Sequence, residues 1–382
     1  MKRTILATLI SILTAATGTA QVTDGFYRIQ NYASTRYITI TDDIIGGVNM
    51  ASTDADLSNI TTWRGFDHVK SNPASIIYVE QVSTSMGTQY NLKCQGTSIY
   101  QIAGGKTYLD LIEKDYNTYV LSVTYSGVSA RLFDTTKASE EGYVVNKKPS
   151  NSNGHDWWKF LPVNTDDNYV GLQPTVQIGD DWYGTVCASY AFKVVSSDVK
   201  IYYVDGAKEG VFQIQEVTGD IIPEATPLLF KCSSNDPAQN KIMPVTDAAS
   251  YPKGNLLSGT YFASTINKHE KYVEYDASTM RILGKNDAGE LVFTTATKAD
   301  LSEKKYIPAN TCWLNVPSGI DGKPLTGDFK LVSRNDYTGI HDINSDADNA
   351  NSTTYTLTGV KVQSKNPKPG IYIRNGKKII IK

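Results

Sequence analysis

GFYRIQN-YAST-RYITI, residues 25 to 40, is the stretch that decides the fold. Aromatic and β-branched residues fill both arms, and a four-residue turn of small and polar side chains, Tyr32-Ala33-Ser34-Thr35, separates them. That is a strand, a tight turn and a second strand, with no room for a helix. Working outward, the unit closes at Thr62-Trp63-Arg64-Gly65-Phe66. A comparable ending stands at Trp157-Trp158-Lys159-Phe160-Leu161-Pro162-Val163, after strand patterns over 128–133 and 143–146. Between them lies a less regular unit: Ser75-Ile76-Ile77-Tyr78-Val79, a second run from Tyr90 to Gly96, and Tyr108-Leu109-Asp110-Leu111. Units of roughly 40 to 50 residues, each of short strands ending on an aromatic, are the mark of a repeat fold.

Residues 21–165 resemble the ricin-type β-trefoil family on these units and their terminal aromatics. The resemblance implies a three-fold β architecture and carbohydrate recognition. Trp63 and Trp158 read as the core tryptophans of their units. The usual Gln two places before the tryptophan is absent at both, so the resemblance supports the fold more than a sugar site.

Residues 166–335 form a second module with an internal duplication. Its first half runs Val199-Lys200-Ile201-Tyr202-Tyr203-Val204, Gly210-Val211-Phe212-Gln213-Ile214, then Ile222-Pro223-Glu224-Ala225-Thr226-Pro227-Leu228-Leu229-Phe230. Its second repeats this as Met280-Arg281-Ile282-Leu283, Gly289-Glu290-Leu291-Val292-Phe293 and Ile307-Pro308-Ala309-Asn310-Thr311-Cys312-Trp313-Leu314. Each half predicts a hairpin, an Ile-Pro-x-x-Thr corner and a buried strand. Proline cannot donate to a ladder, which places both corners at strand starts. Two such halves bury together what neither buries alone, the logic of a β-sandwich.

The two ends read as addresses. Met1-Lys2-Arg3, an apolar run to Ala16 and Gly18-Thr19-Ala20 have the pattern of a secretory signal peptide over 1–20. No lipoprotein cysteine follows, and no later run is long and apolar enough to span a membrane. At the other end, 355–382 carries Tyr355-x-Leu357-x-Gly359, Pro369-Gly370-Ile371-Tyr372 and Asn375-Gly376-Lys377-Lys378. These are two hairpin signals in succession, the second across an Asn-Gly pair. The segment resembles the C-terminal sorting domains of type IX secretion systems of Gram-negative bacteria, which implies export and recognition by that machinery. Residues 336–354, with Asp342, Asn344, Asp346 and Asp348 in a DINSDADNANS run, form a flexible linker. A calcium loop would need Gly where Ala347 stands and Glu where Thr353 stands.

Composition narrows the function. The chain has 382 residues, 40% hydrophobic and 20% charged, enough for two domains with real cores. Its 24 tyrosines outnumber 10 phenylalanines and 5 tryptophans, which favours strands, and a net charge of −2 gives no reason to expect nucleic acid. Cys94, Cys187, Cys232 and Cys312 lack CxxC spacing, so no zinc or redox motif is present; Cys232 and Cys312 read as buried thiols near the ends of equivalent strands, Cys94 faces a core, and no structural disulfide is expected. His68, His155, His269 and His341 sit in no metal or triad motif, and the acid pairs Asp42-Asp43, Asp166-Asp167 and Asp180-Asp181 occur in turns. No catalytic residue, metal ligand or cofactor is assigned.

Binding is the stronger expectation. Neighbours on a strand point to opposite faces, so a buried Trp158 turns Trp157 outward. With Asn153, His155 and Asp156 beside it, Trp157 either stacks a sugar ring or covers a neighbouring domain. The chain as a whole is expected to be all-β: a β-trefoil-like domain, a duplicated β-sandwich-like domain and a short C-terminal β-hairpin tail. The function expected is that of an exported, non-catalytic protein recognising a glycan or another surface ligand. A structural or adhesive surface protein and a secreted hydrolase are the other classes.

Overall fold

The computed structural model describes residues 21–40, 55–94, 97–99, 101–102, 105–106, 108–125, 128–135, 138–147, 150–208, 211–247, 249–250, 252–260, 273–318, 322–333, 354–356, 361–362, 369–374 and 377–381. The expected signal peptide, nearly all of the 336–354 linker, His269 and His341 lie outside these residues. Among them are 31 strands and four 3₁₀ turns of three residues each, so the protein is all-β. No helix there is long and apolar enough to cross a membrane. The chain divides into two compact units, Met1–Asn164 and Thr165–Lys382.

In the first unit the 25–40 motif forms as read, Gly25–Asn31 and Arg36–Ile40, with Gln30 opposite Tyr37. Arg36–Ile40 then pairs with Ala55–Arg64, which pairs with Glu141–Lys147. The path continues through Val128–Asp134 and Thr118–Tyr125 to Trp157–Pro162. It closes where Trp157–Pro162 meets Gly25–Asn31, from Tyr27↔Pro162 to Asn31↔Trp158, giving a seven-stranded barrel. Gly25–Asn31 also pairs with Ile77–Thr84 at its start, leading into a hairpin with Gly87–Cys94. Ile29, Ile38, Ile40, Ile60, Leu121, Leu132, Val144 and Trp158 are completely buried.

One core residue differs from the sequence reading. Trp63 is half-exposed and stacks on His68, ring centroids 5.1 Å apart, while its neighbour Thr62 is fully buried. Register explains this: Ile38↔Thr62 and Ile40↔Ile60 take the buried face, which leaves Tyr37↔Trp63 on the other. Thr62 donates its hydroxyl to Asp134 Oδ1 at 2.7 Å, and Asp134 Oδ2 holds Arg36 Nη1 at 3.0 Å. Arg36 and Arg28 are both fully buried. Arg28 donates to Ser75 Oγ and the Val69 carbonyl and lies 5.0 Å from the Phe66 ring centroid.

In the second unit a ten-stranded sheet carries both of the segments expected to be repeats. In the first, Lys200–Lys208 pairs with Val211–Glu216 on one side and Leu228–Cys232 on the other, with Asp181–Val186 outside that. In the second, Met280–Lys285 pairs with Leu291–Thr294 and Thr311–Asn315, with Leu257–Thr260 outside. Phe329–Ser333 joins them, parallel to Val211–Glu216 and antiparallel to Leu291–Thr294. Val204, Phe212 and Leu229 of one half share a core with Leu283, Phe293 and Leu314 of the other. The two Ile-Pro corners also match in detail. Ala225 and Asn310, each two residues after the proline, have left-handed φ of 58° and 57°. Both dock on one segment: Ala225 N–H donates to the Ala188 carbonyl at 2.8 Å, and Cys187 N–H to the Asn310 carbonyl at 2.9 Å. A separate sheet of four short strands, Val170–Gly171, Lys241–Val245, Ala191–Val194 and Ile221–Ile222, completes the body.

All four cysteines are buried. Burial pushes the Cys187 thiol up to about 12, and burial first, with Cys187 nearby, holds Cys312 well above the ordinary thiol range. A raised pKa favours the neutral thiol in the fold, so its contribution is complete below the unfolded value near 9 and fades as pH rises toward about 12. Native protein at pH 8 should therefore leave Cys187 and Cys312 unmodified by a thiol reagent until denaturant is added. Rapid native labelling of either, located by peptide mapping, would contradict this packing.

In the tail, Thr354–Thr356 pairs with Lys361–Val362 and with Gly370–Arg374, and Gly370–Arg374 pairs with Lys377–Ile381. Arg374 faces Lys377 in register, as a two-residue connection at 375–376 requires. The turn residues 357–360 and 375–376 lie outside the described residues.

Candidate functional site

The candidate site forms where the barrel closes. Asn31, at the end of the first strand and 1% exposed, ties the turn after it to the loop before the last strand. Its Oδ1 accepts from the Ala33 and Ser34 N–H groups, and its Nδ2 donates to the carbonyls of His155 at 2.9 Å and Trp157 at 3.2 Å. Tyr32 N–H donates to the Trp157 carbonyl at 2.8 Å. This fixes Tyr32 against Trp157, with ring centroids 5.5 Å apart and planes at 40°. Gly154 makes the approach possible: its φ is 84°, and a Cβ there would lie 2.9 Å from Tyr32 Cδ1.

A third ring comes from the turn before Thr118–Tyr125. Tyr116 stacks on Tyr32 with centroids 5.5 Å apart and planes at 11°, and its own side chain is 70% exposed. Its φ is 61° and that of Asn117 is 55°, a left-handed pair without glycine. A bulky residue in that region costs on the order of 1 kcal/mol, and such strain collects where a side chain must be aimed for a purpose. Lys159, two residues after Trp157 and so on the same strand face, brings Nζ to 5.5 Å from the Tyr32 ring centroid.

The alternation at Trp157-Trp158 holds. Trp158 is fully buried with its indole N–H donating to the Leu132 carbonyl at 2.9 Å, whereas Trp157 is half-buried. The polar neighbours named from sequence divide. Asn153 is exposed at the loop tip, with φ 47°. His155 is half-buried, its carbonyl taken by Asn31 and by the Asp134 N–H, and its Nδ1 meets no hydrogen-bond partner among the described residues. Asp156 is not at the surface: it is 1% exposed, accepts the Ser152 hydroxyl and pairs with Arg131 at 3.1 Å. Both its oxygens hold the loop in shape, so it is a structural residue and not a ligand contact. Sequence reasoning missed Tyr32, Tyr116 and Lys159. The period-two spacing of Trp157 and Lys159 was a usable signal; the meeting of Tyr32 with Tyr116 was not.

Beneath this surface Tyr119 packs edge-on to Phe160, centroids 5.7 Å apart, and burial followed by the nearby Glu113 charge raises its phenol pKa. Cys94 faces the core, 4% exposed, with its thiol donating to the Ala74 carbonyl at 3.3 Å. Among the described residues no group of three or more His, Cys, Asp or Glu side chains is placed to hold a metal ion. The site is therefore a partly exposed aromatic surface with one cation and one amide at its rim, suited to stacking planar or pyranose rings.

No protein-family model matches the chain, and no curated protein matches it in sequence. Among solved structures it is similar to a mosquitocidal holotoxin, whose structure and mode of action have been described, at 11% identity and a TM-score of 0.27. That match covers 79% of this chain and 35% of the other. So low a score carries no argument about function, and the reading of the site rests on its own geometry.

Proposed function

We propose that this is an exported, non-catalytic binding protein that recognises a glycan through the Tyr32–Tyr116–Trp157 cluster. The observation that carries the reading is Tyr116: an aromatic ring 70% exposed, held by a left-handed turn on top of a second ring. Burial does not account for that placement, and a sugar ring laid on its free face does. Asn153 at the rim supplies amide groups for hydroxyls. The closed barrel built of short strands supports a trefoil-like reading of the first unit, and the core shared by the two halves of the second supports a sandwich-like one. Export rests on the two terminal segments, with the tail read as the part the secretion machinery recognises; its paired strands are consistent with the hairpins such a segment needs.

Screening the full chain against a glycan array tests the proposal. At least one glycan should bind, and Tyr116→Asn should weaken that glycan about tenfold, the loss of about 1.4 kcal/mol of stacking. Asparagine tolerates the left-handed backbone, so the change removes the ring and leaves the turn. No bound glycan, or binding indifferent to Tyr116→Asn, would refute it.

A further inference from the structure

The geometry points to an acidic saccharide, one bearing a carboxylate or sulfate, as the ligand of this surface, with Lys159 as the group that selects for charge. The inference rests on the glycan reading and adds its chemical class. Lys159 and Trp157 flank the buried Trp158 on the Trp157–Pro162 strand, so cation and indole lie side by side on one face. The Tyr32 ring lies beneath the Lys159 ammonium, 5.5 Å from centroid to Nζ. The electron-rich face of an aromatic ring attracts a cation by about 0.5–1 kcal/mol at an exposed position. That attraction directs Nζ to the centre of the cluster before any ligand arrives and reduces the ordering cost of binding.

The ammonium has no carboxylate within ion-pair distance among the described residues. Two lysines of this unit that have a carboxylate in reach use it, Lys70 pairing with Asp67 at 2.8 Å and Lys93 with Glu80 at 2.7 Å. The acid nearest in sequence, Asp156, is already held by Arg131 and Ser152. Tyr116 and Trp157 each stand 5.5 Å from the Tyr32 ring over which the ammonium lies, so rings and cation form one cluster. A neutral sugar leaves the ammonium without a counter-charge. An acidic one adds a charge-assisted hydrogen bond, roughly twice as strong as a neutral one.

The test is a set of paired probes titrated into the full chain and followed by tryptophan fluorescence and calorimetry. Uronate oligosaccharides are compared with their methyl esters, and sulfated oligosaccharides with their desulfated forms. The charged member of at least one pair should bind about tenfold tighter than its neutral counterpart, and the gap should shrink as salt rises. Lys159→Gln should close the gap and Lys159→Arg should keep it, while Tyr116→Asn should weaken both members alike. Whether uronates or sulfates show the gap identifies the anion. Equal binding of charged and neutral members, or a gap untouched by Lys159→Gln, overturns the charge inference and leaves the aromatic platform standing. If neither member of any pair binds while the array yields a glycan, the charge inference alone falls; if the array yields none either, both readings fall.

Discussion

Asp134→Ala is expected to cost the N-terminal unit about 3–5 kcal/mol, the loss typical when one partner of a buried ion pair is removed. Arg36 and Asp134 both have fully buried side chains, 3.0 Å apart. The carboxylate also accepts from Thr62, and Arg36 donates to the carbonyls of Thr135 at 3.1 Å and Ser139 at 2.7 Å. The cluster joins three barrel strands, Arg36–Ile40, Ala55–Arg64 and Val128–Asp134. Without the carboxylate the guanidinium keeps its carbonyls but loses its counter-charge in a place water does not reach. A single domain is commonly stable by only about 5–15 kcal/mol, so the variant should denature at markedly lower urea. The double change Arg36→Met with Asp134→Leu should recover much of the loss, because the desolvation penalty disappears with the charges. A urea midpoint unchanged in Asp134→Ala would show that the network contributes nothing.

The adjacent tryptophans should separate fold from function. Trp158→Ala removes a completely buried indole and its hydrogen bond to Leu132, with an expected loss of about 3–5 kcal/mol. Trp157→Ala removes a half-buried ring whose neighbour is Tyr32, with an expected stability change of about 1 kcal/mol or less and a loss of glycan binding of about tenfold or more. Thermal melts and titrations on the same two proteins give both quantities. Equal destabilisation by the two changes would mean that the strand does not present Trp157 as the structure places it.

Much of the strand content was legible because it is local. Residues 25–40, the Trp157-Trp158 alternation and the two Ile-Pro corners each depend on neighbours a few positions apart, and each formed where the pattern put it. Register across the sheet was another matter. Trp63 reads as a core aromatic until Ile38 is seen opposite Thr62, a pairing that no local period encodes. Arg28 and Arg36 look like solvent-facing charges because their partners, Ser75 and Val69 for one and Asp134 for the other, lie 41 to 98 positions away. The site suffered most: Asp156 looked available because its claim on Arg131 is a tertiary fact, and Tyr116 was invisible because it comes from a turn in another part of the first unit.

The seam between Gly25–Asn31 and Trp157–Pro162 sets when the barrel can close during synthesis. A ribosome releases the opening strand long before the strand that must lie beside it, so the cylinder stays unzipped until roughly residue 162 has emerged. On the function proposed above, glycan capture is then a gauge of closure, since Tyr32 and Trp157 stand on opposite lips of the join and come together only once it is shut.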